Sequence, residues 1–461
     1  TAPPPPRAAA AEEKPVATTA AEGFDLKEAL HGPGAPLTPD EAAQRAVKTA
    51  PSMARAEAAA NQARYAAEQA NVALYPRLDL TARYSRLSPV SGTTLAEIFG
   101  DIGMAAGNPN PNTAGLENQY NVGQFQASLQ WPVTAFFFSI IPRYKAFQKQ
   151  ADAQRLTSRV TAQSVGLQAR ETYFNYARTR AQLLVARSAE AQTEAHRKDV
   201  EALVNAGSMA KVEYMRAEAQ VAAAKVNTVR AQVAVATARS ALFTITHIEG
   251  DQDLTINEDF TVELPPLADT SDSLLAKALA NRSELKQLRI QLEAIEHTVD
   301  AQQGQQLPQI VLGGSAEYSI PNQRYFGEND KWNASWVLFA AATWSPNDWA
   351  GYGKGADQAR AQMAQTVADL EQLEDNLRIE VSESYEAYNA ARAALGAARV
   401  GIAAAEESYR VRREQFRAGS AVATEVIDSE TDLTNARLDL VNAVIALRIA
   451  KARLDRAVEA S

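Results

Sequence analysis

Cysteine is absent from the 461 residues of the chain. This absence excludes disulfide bonds, thiolate catalysis, cysteine-ligated metal sites and lipid attachment to a cysteine within this sequence. A chain without cysteine is compatible with a bacterial envelope protein, although many other proteins share the property.

Long apolar runs and an excess of basic residues are also lacking. The densest apolar run, "AFFFSII" at 135–141, is far shorter than the ~18 residues of a membrane-spanning helix. The formal net charge of −9 argues against a nucleic acid as partner. The four histidines have no metal-site spacing, and there is no phosphate loop, nucleophile elbow or HExxH motif. We therefore predict no catalytic site, no metal and no cofactor.

Four segments alternate between apolar and polar residues, as strands with one apolar face do. The first, "RLDLTARYSRLS", places Leu78, Leu80, Ala82 and Tyr84 in one register and Arg77, Asp79, Thr81 and Arg83 in the other. The predicted strands span about 77–88, 123–133, 309–319 and 332–344. Helical patterns occupy most of the remaining chain, with predicted helices at about 38–74, 142–206, 210–245, 271–306, 353–418 and 422–459.

These patterns occur in the same order twice, which indicates an internal duplication. "NAGSMAKVEYMRAEAQ" at 205 resembles "RAGSAVATEVIDSETD" at 417. We predict a Pro/Ala-rich, disordered leader at 1–37, a first repeat at 38–245, a connector at 246–270 and a second repeat at 271–461. Thr38, Pro39 and Glu41 predict a capping box at the first helix, and the Gly-rich "GYGKGADQA" at 351 is interpreted as a joint between strand and helix.

Helix lengths suggest how the repeats pack. The 65-residue helix 142–206 would span about 97 Å at ~1.5 Å per residue, and two of the short helices end to end would match it. The last helix of each repeat has apolar residues seven apart and a row of alanines, which is typical of coiled coils. We therefore predict an antiparallel helical rod with its strands at one end and the connector near its middle.

The strands have the length of tilted membrane-spanning strands, but four strands cannot close a barrel. An open sheet edge in lipid would leave backbone groups unpaired, so the barrel would be shared between chains, and three copies would give twelve strands. The tryptophans in or beside these strands are Trp131, Trp332, Trp336, Trp344 and Trp349. They fit a membrane-interface belt, and the alternative is the core of a small soluble sheet.

Residues 38–460 resemble the TolC-like outer-membrane factors of efflux and type I secretion systems. The resemblance rests on the duplicated strand pairs and on the turns "NAGS" and "RAGS", each followed by an acid six residues after its glycine. It implies a homotrimer with a 12-stranded barrel in the outer-membrane lipid of a Gram-negative bacterium and a helical periplasmic tunnel. It also implies a periplasmic adaptor, an inner-membrane pump and a passive duct without enzymatic activity.

The resemblance implies site residues at the turns. Glu425, Asp428 and Glu213 match the acids that ring the narrow tunnel entrance, where carboxylates would favour cations. The alternative is that they are acids placed favourably at helix N-termini. The turns Ala206-Gly207-Ser208 and Ala418-Gly419-Ser420 match the adaptor-docking tips, although a plain helix hairpin would use the same residues, with Ser capping the next helix.

The sequence departs from the family at the gate. Ala421 stands where some members carry a basic residue that closes the gate by a salt bridge, and Met209 is its counterpart in the first repeat. Phe416 stands where some members have a gate tyrosine. Arg216 and Arg417 are the candidate substitute cations.

Two other classes compete with a channel. A periplasmic adaptor would have one hairpin between soluble β-domains, and a coiled-coil scaffold would have no barrel strands. The two repeats and the four amphipathic strands favour an outer-membrane duct over both.

Overall fold

The structure is a computed structural model, and it describes residues 35–88, 101–102, 104–105, 121–248, 254–260, 262–325 and 331–459. The chain forms two compact units, each built from segments of both repeats. The first comprises the described parts of Thr1–Ala50, Val165–Ser271 and Ser382–Arg456, and the second those of Pro51–Ser164, Asp272–Val381 and Ala457–Ser461. The predicted leader up to residue 34 and most of the loop 89–122 lie outside the described residues.

Helices make up most of the described chain. The longer ones are α1 (Pro39–Thr49), α2 (Pro51–Val72), α3 (Ile141–Asn205), α4 (Lys211–Thr246), α5 (Ser271–Asn281), α6 (Ser283–Gly304), α7 (Pro346–Arg417) and α8 (Ala423–Val458). A short helical turn at Val133–Ala135 and a π-helical turn at Phe136–Ile140 precede α3. None of the described helices combines the length and the hydropathy needed to cross a membrane.

The first predicted helix is two helices, because Pro51 begins α2 where α1 has already ended at Ala50. Proline has no N–H to donate to the preceding turn, and it disfavours helical geometry at the residue before it. The predicted capping box is confirmed. The Thr38 hydroxyl accepts from the Glu41 N–H at 3.2 Å, and the Glu41 carboxylate accepts from the Thr38 N–H at 3.0 Å.

The helix predicted over 271–306 is also broken, at Arg282. This arginine is buried and donates to Glu380 at 3.0 Å and to Glu284 at 3.1 Å, and its guanidinium also reaches the Ala457 carbonyl oxygen. Glu459 accepts from the backbone N–H and the hydroxyl of Ser283, which begins α6. The break therefore follows from polar contacts between segments distant in the sequence, which no helical pattern shows.

The glycine-rich segment at 351 is not a joint, and that prediction is wrong. Helix α7 begins at Pro346, and Gly353 and Gly355 lie inside it. A Cβ atom at Gly353 would lie 2.9 Å from Gln306 Nε2, and one at Gly355 would lie 3.0 Å from Gln302 Oε1. The ends of two glutamine side chains thus approach the α7 backbone at these glycines, and no turn is present there.

The four predicted strands form one antiparallel sheet in the second unit. They are β2 (Arg77–Arg86), β3 (Asn121–Pro132), β5 (Gln309–Ile320) and β6 (Asn333–Thr343), in the order β2-β3-β5-β6. Each strand is antiparallel to its neighbour, and the central pair β3–β5 joins the two repeats. The prediction of a mainly helical chain with two pairs of strands is confirmed.

Two short strands were not predicted. β1 (Ala35–Leu37) pairs in parallel with β4 (Leu254–Ile256) in the first unit. β1 occupies the last three residues of the predicted leader, and β4 lies within the predicted connector. The hydroxyl of Tyr173 donates to the Leu37 carbonyl oxygen at 3.0 Å, and Arg180 donates to that of Leu254 at 2.6 Å. Side chains of α3 thus hold segments too short to show a periodic pattern.

Candidate functional site

One face of the four-stranded sheet is apolar except at one end, where Arg86 of β2 lies opposite Asn121 of β3. That face carries Leu78, Leu80, Ala82 and Tyr84 of β2, Gly123, Phe125, Ala127, Leu129 and Trp131 of β3, Ile310, Leu312, Gly314, Ala316 and Tyr318 of β5, and Ala334, Trp336, Leu338, Ala340 and Ala342 of β6. Its larger side chains are largely exposed in the single chain, with Leu80 at 76% and Leu338 at 74%. A continuous exposed apolar surface of this kind needs a lipid or protein partner.

The opposite face is mostly polar, with Arg77, Asp79, Thr81 and Arg83 on β2 as predicted. Arg77 and Asp79 form an ion pair at 2.9 Å. Strand β6 is the main exception, because Val337, Phe339 and Ala341 lie on this face, and Val122 of β3 and Val311 of β5 lie there as well. The Phe339 ring covers Gly313 of β5, where a Cβ atom would overlap the ring.

The predicted interface tryptophans lie near the ends of the sheet and in its edge strand. Trp332, just before β6, stacks on Tyr318 with ring centroids 5.2 Å apart and lies 5.6 Å from Phe125. Trp131 meets the Phe136 ring edge-on at 5.7 Å. Trp336 and Trp344 are exposed, and so is Trp349, which lies in the first turn of α7 rather than in a strand. Trp332 is exposed as well, so the exposure of four of the five tryptophans disfavours a soluble core as their environment.

Both edges of the sheet are free in the described part of the chain. β2 pairs only with β3, and β6 pairs only with β5. Because the strands alternate in direction, β6 of one copy would be antiparallel to β2 of another. The two edges have nearly equal lengths, 10 residues in β2 and 11 in β6.

The two predicted tip turns have the same backbone geometry. Gly207 and Gly419 both have φ +76°, a left-handed conformation that favours glycine. The N–H of Gly207 bonds to the carbonyl oxygen of Val204 and that of Ser208 to the carbonyl oxygen of Leu203, the pattern of a Schellman cap. The second tip repeats this pattern from Gly419 and Ser420.

The tip serine of the first repeat does not cap the helix that follows it, contrary to the prediction. Ala210 is the N-cap of α4 and makes no side-chain capping bond. The Ser420 hydroxyl donates back to the Gln415 carbonyl oxygen at 3.0 Å, at the end of α7. Ser420 therefore supports the preceding helix, because the left-handed glycine turns the chain back over the last carbonyl groups of that helix.

A hydrophobic cluster, the tip cluster, brings both tips to the same end of the first unit. Its buried members are Val200, Ala217, Tyr409, Phe416, Ala423, Val426 and Leu433. Met209 and Ala421 pack against it, one from each tip turn. Phe416 is only 2% exposed and lies 5.2 Å from the His196 ring. In this structure Phe416 therefore packs in the interior of the tip, and Ala421 occupies an apolar environment that a basic side chain would not suit.

The predicted gate acids lie at the surface of the same end. Glu425, in the first turn of α8, forms an ion pair with Arg412 at 3.1 Å, and Glu213, in the first turn of α4, pairs with Arg216 at 3.0 Å. Asp428 is exposed and has no side-chain partner in the described part of the chain. The second candidate cation pairs elsewhere, because Arg417 binds Asp199 of α3 at 3.1 Å.

Sequence reasoning missed Arg412 and the buried residues behind it. Arg412 and Glu425 are equally far in sequence from the turn at 418–419, one before it and one after it. Tyr409 and Glu430 also flank this turn, and their separations from it differ by two residues. Pairing residues symmetrically about the turn of an antiparallel helix hairpin would have found both pairs.

Two titratable side chains of the tip have their charged forms disfavoured by burial. Burial lowers the pKa of His196, whose Nε2 has no partner among the described residues. Burial raises the pKa of Glu430 to about 7, against the opposing effects of the Tyr409 hydroxyl and of Arg413. The Tyr409 hydroxyl lies 3.5 Å from the Glu430 carboxylate. Among the described residues there is no group of three or more side chains arranged to hold a metal ion.

Comparison with known proteins identifies the family. The family described as outer membrane efflux protein matches residues 42–246 and 274–459, so it matches the duplicated chain in two parts. The chain belongs to the outer membrane efflux protein family. The suspected TolC-like relationship is thus confirmed, and so is the internal duplication, although the predicted boundaries of the repeats stay a prediction. A comparison with curated proteins finds no significant match.

Solved structures of outer membrane efflux proteins share the fold. The outer-membrane channel OprN is 14% identical, with 97% of this chain and 98% of that one covered and a TM-score of 0.74. VceC of Vibrio cholerae is 16% identical over 91% and 95% of the chains, with a TM-score of 0.73. MtrE of Neisseria gonorrhoeae, in its open state, is 17% identical over 91% and 88%, with a TM-score of 0.74.

Membership of this family settles the broad function. The protein is an efflux channel of the outer membrane of Gram-negative bacteria, and such channels transport rather than catalyse. Outer membrane efflux proteins form trimers in tripartite efflux systems. The adaptor and scaffold alternatives are therefore wrong.

Proposed function

We propose that three copies of this chain join edge to edge into a 12-stranded barrel that opens into a helical periplasmic tunnel. The observation that carries the proposal is the sheet, which combines a largely apolar exposed face with two antiparallel edges that are unpaired in the described part of the chain. Pairing β6 of one copy with β2 of the next would satisfy the backbone groups that lipid cannot. The apolar face, with its tryptophans, would contact lipid, and the polar face would line the lumen.

The tip end of the first unit would be the periplasmic entrance. Glu425, Asp428 and Glu213 lie at this end, and in a trimer each would occur three times around the opening. Repeated carboxylates in a narrow opening concentrate negative potential and favour cations. Arg412 supports a gating role for Glu425, because their ion pair joins α7 to α8 and would break or re-form if the helices moved.

The proposed partners are a periplasmic adaptor and, through it, an inner-membrane pump of a multidrug efflux or type I secretion system. The adaptor would dock on Ala206-Gly207-Ser208 and Ala418-Gly419-Ser420. These turns share one geometry, with a rigid Schellman cap in each. Two equivalent turns per chain would present six similar contacts in a trimer, which suits a symmetric partner.

The mass of the purified protein in detergent tests the barrel. We expect three times the chain mass of 49.7 kDa after subtraction of bound detergent, and aggregation when the detergent is removed. Light scattering combined with refractive index and absorbance measures this mass. A monodisperse monomer that stays in solution without detergent would refute the shared barrel.

Charge removal tests the proposed entrance. The double variant Glu425→Gln/Asp428→Asn should lower the preference for K⁺ over Cl⁻ several-fold in planar bilayers, because six carboxylates leave the opening of a trimer. The matched control is Asp369→Asn/Glu371→Gln, which removes the same charge from exposed positions of α7 in the second unit. Equal reversal potentials for the two variants would remove Glu425 and Asp428 from the entrance.

A further inference from the structure

A cavity in the first unit lies between α3, α7 and α8, away from both tips. Its volume is approximately 680 Å³, within the range of small-molecule sites. One wall is formed by small and apolar side chains, namely Ala387, Ala391, Ala446, Ile449 and Ala450. The remaining lining is polar and includes four charged groups, Arg178, Arg453, Glu171 and Glu383.

The charges of the cavity are unequally satisfied. Arg453 binds Glu171 through its Nε at 2.6 Å. Arg178 has no ion-pair or hydrogen-bond partner among the described residues, and its Nε is buried. Arg178 is partly buried, and a guanidinium stays protonated in proteins, so it carries a positive charge with which no described carboxylate pairs. Arg178 is therefore a cation in the cavity wall that lacks an anion.

The paired short strands β1 and β4 contact a different side of α3 from the one that carries Arg178. Tyr173 and Arg180 of α3 bind the carbonyl oxygens of Leu37 and Leu254. Arg178 is five residues beyond Tyr173, so it lies about 140° around the helix at ~3.6 residues per turn. In α8, Arg448 donates to the carbonyl oxygen of Asp259, and the cavity residues Ala446 and Ala450 lie about 160° around the helix from it.

We propose that this cavity binds a small amphiphilic organic anion, with its carboxylate on Arg178 and its apolar body against the alanine wall. The planar guanidinium matches a carboxylate through two parallel hydrogen bonds, which inorganic cations and neutral solutes cannot form. Glu383 also lines the cavity, and its carboxylate would repel a bound anion. The inference goes beyond the duct proposal, because binding by the chain requires neither conduction nor a partner.

Binding of 4-(trifluoromethyl)benzoate to the full chain in lipid nanodiscs tests the site by ¹⁹F NMR, with empty nanodiscs subtracted. We expect saturable binding of this carboxylate and at least tenfold weaker binding of the matched amide, 4-(trifluoromethyl)benzamide. The substitution Arg178→Gln should weaken carboxylate binding at least tenfold. Arg187→Gln is the matched control, since Arg187 is exposed on the opposite side of α3, about two and a half turns further along the helix than Arg178.

Glu383→Gln should have the opposite effect on affinity from Arg178→Gln. It removes a carboxylate that repels the anion, so it should tighten carboxylate binding a few-fold. A gain of affinity cannot come from misfolding, so this variant keeps the test decisive if Arg178→Gln folds poorly. Three outcomes would overturn the proposal: no saturable binding by the unmodified chain, equal binding of the amide, or unchanged binding in Arg178→Gln and Glu383→Gln. If a neighbouring copy of the chain fills the cavity, the unmodified chain would show no saturable binding.

Discussion

Glu430 has the most unusual environment of the tip residues. It is 7% exposed, lies beside the tip cluster, and has the Tyr409 hydroxyl and Arg413 as its polar neighbours. Burial raises the pKa of Glu430 to about 7, so in the folded tip this carboxyl stays protonated up to that pH. In an unfolded segment the same carboxyl has its ordinary pKa near 4.5 and loses the proton above pH 4.5. Folded tip stability should therefore fall as the pH rises from 4.5 towards 7, since the folded state binds more protons over that interval.

The substitution Glu430→Gln should remove this pH dependence. At pH 8 the variant should be more stable than the unmodified chain, by on the order of 3 kcal/mol, because a neutral amide replaces a buried charge. At pH 4.5 the two should differ little. Hydrogen–deuterium exchange of peptides covering 405–435, corrected for the intrinsic effect of pH, measures local opening of the tip.

The control for this prediction is Glu414→Gln, which neutralises an exposed carboxylate of α7 that pairs with Arg410. Surface pairs of this kind contribute little to stability, so its pH dependence should match that of the unmodified chain. Persistence of the same pH dependence in Glu430→Gln would show that a group other than Glu430 titrates the tip. His196 would not explain it, because burial lowers the pKa of His196 and its contribution to stability would rise with pH.

Side-chain roles were predictable where they depend on neighbours in the sequence. Thr38 and Glu41 are three residues apart, and the tip glycines follow the ends of long helical patterns, so local rules identify both. Phe416 and Glu430 depend on which side of a helix meets the tip cluster. That orientation is set by contacts between helices, and a single sequence contains too little information to fix it.

At the scale of elements, the junction between α6 and the π-helical turn depends on one glycine. A Cβ atom at Gly304 would lie 1.7 Å from the carbonyl oxygen of Phe138, which is backbone and cannot rotate away. Gln305, at the end of the same helix, donates to the Ser139 hydroxyl at 3.0 Å and holds the two segments together. Close backbone approach here is therefore part of the connection between helices and strands in the second unit.

Gly304→Ala should destabilise the protein by about 1–3 kcal/mol, because the backbone must shift to admit the methyl group. The matched control is Gly396→Ala in α7, where no atom lies within 4 Å of the added Cβ. Alanine favours a helix interior, so the control should gain about 0.5–1 kcal/mol. Denaturant-dependent loss of helical circular dichroism measures both, and a Gly304→Ala variant as stable as the control would contradict the close approach.

The presence of helices and strands was easier to predict than the points at which a helix is interrupted. All four strands of the sheet follow from period-two alternation, and their observed ends differ from the predicted ones by two residues or fewer. The break at Arg282 could not be predicted, because it depends on Glu380, almost one hundred residues away. β1 and β4 have three residues each, which is too short for periodicity to distinguish them from loop.

At the scale of the whole molecule, pairing of sheet edges between copies can be tested by introducing cysteines. The chain has no cysteine of its own, so every disulfide must come from the introduced residues. Within one chain β2 and β6 are separated by two strands, or about 14 Å at the usual strand spacing, which is too far for a disulfide. A disulfide between these strands must therefore join different copies. The apolar face supplies positions on both edges, with Leu80 on β2 and Leu338 near the middle of β6.

We expect the double variant Leu80→Cys/Leu338→Cys to give oxidised dimers and trimers on denaturing gels. If the register between copies is shifted, the partner of Leu80→Cys would be Trp336→Cys or Ala340→Cys instead. The bands should stop at the trimer, because three copies close the barrel, and a reductant should return them to monomer. Leu80→Cys with Phe339→Cys is the matched control, since Phe339 lies one residue along on the opposite face and its Cβ points away. Bands continuing above the trimer would indicate open association of edges rather than closure, and equal cross-linking in the control would mean that the strands do not meet in a fixed register.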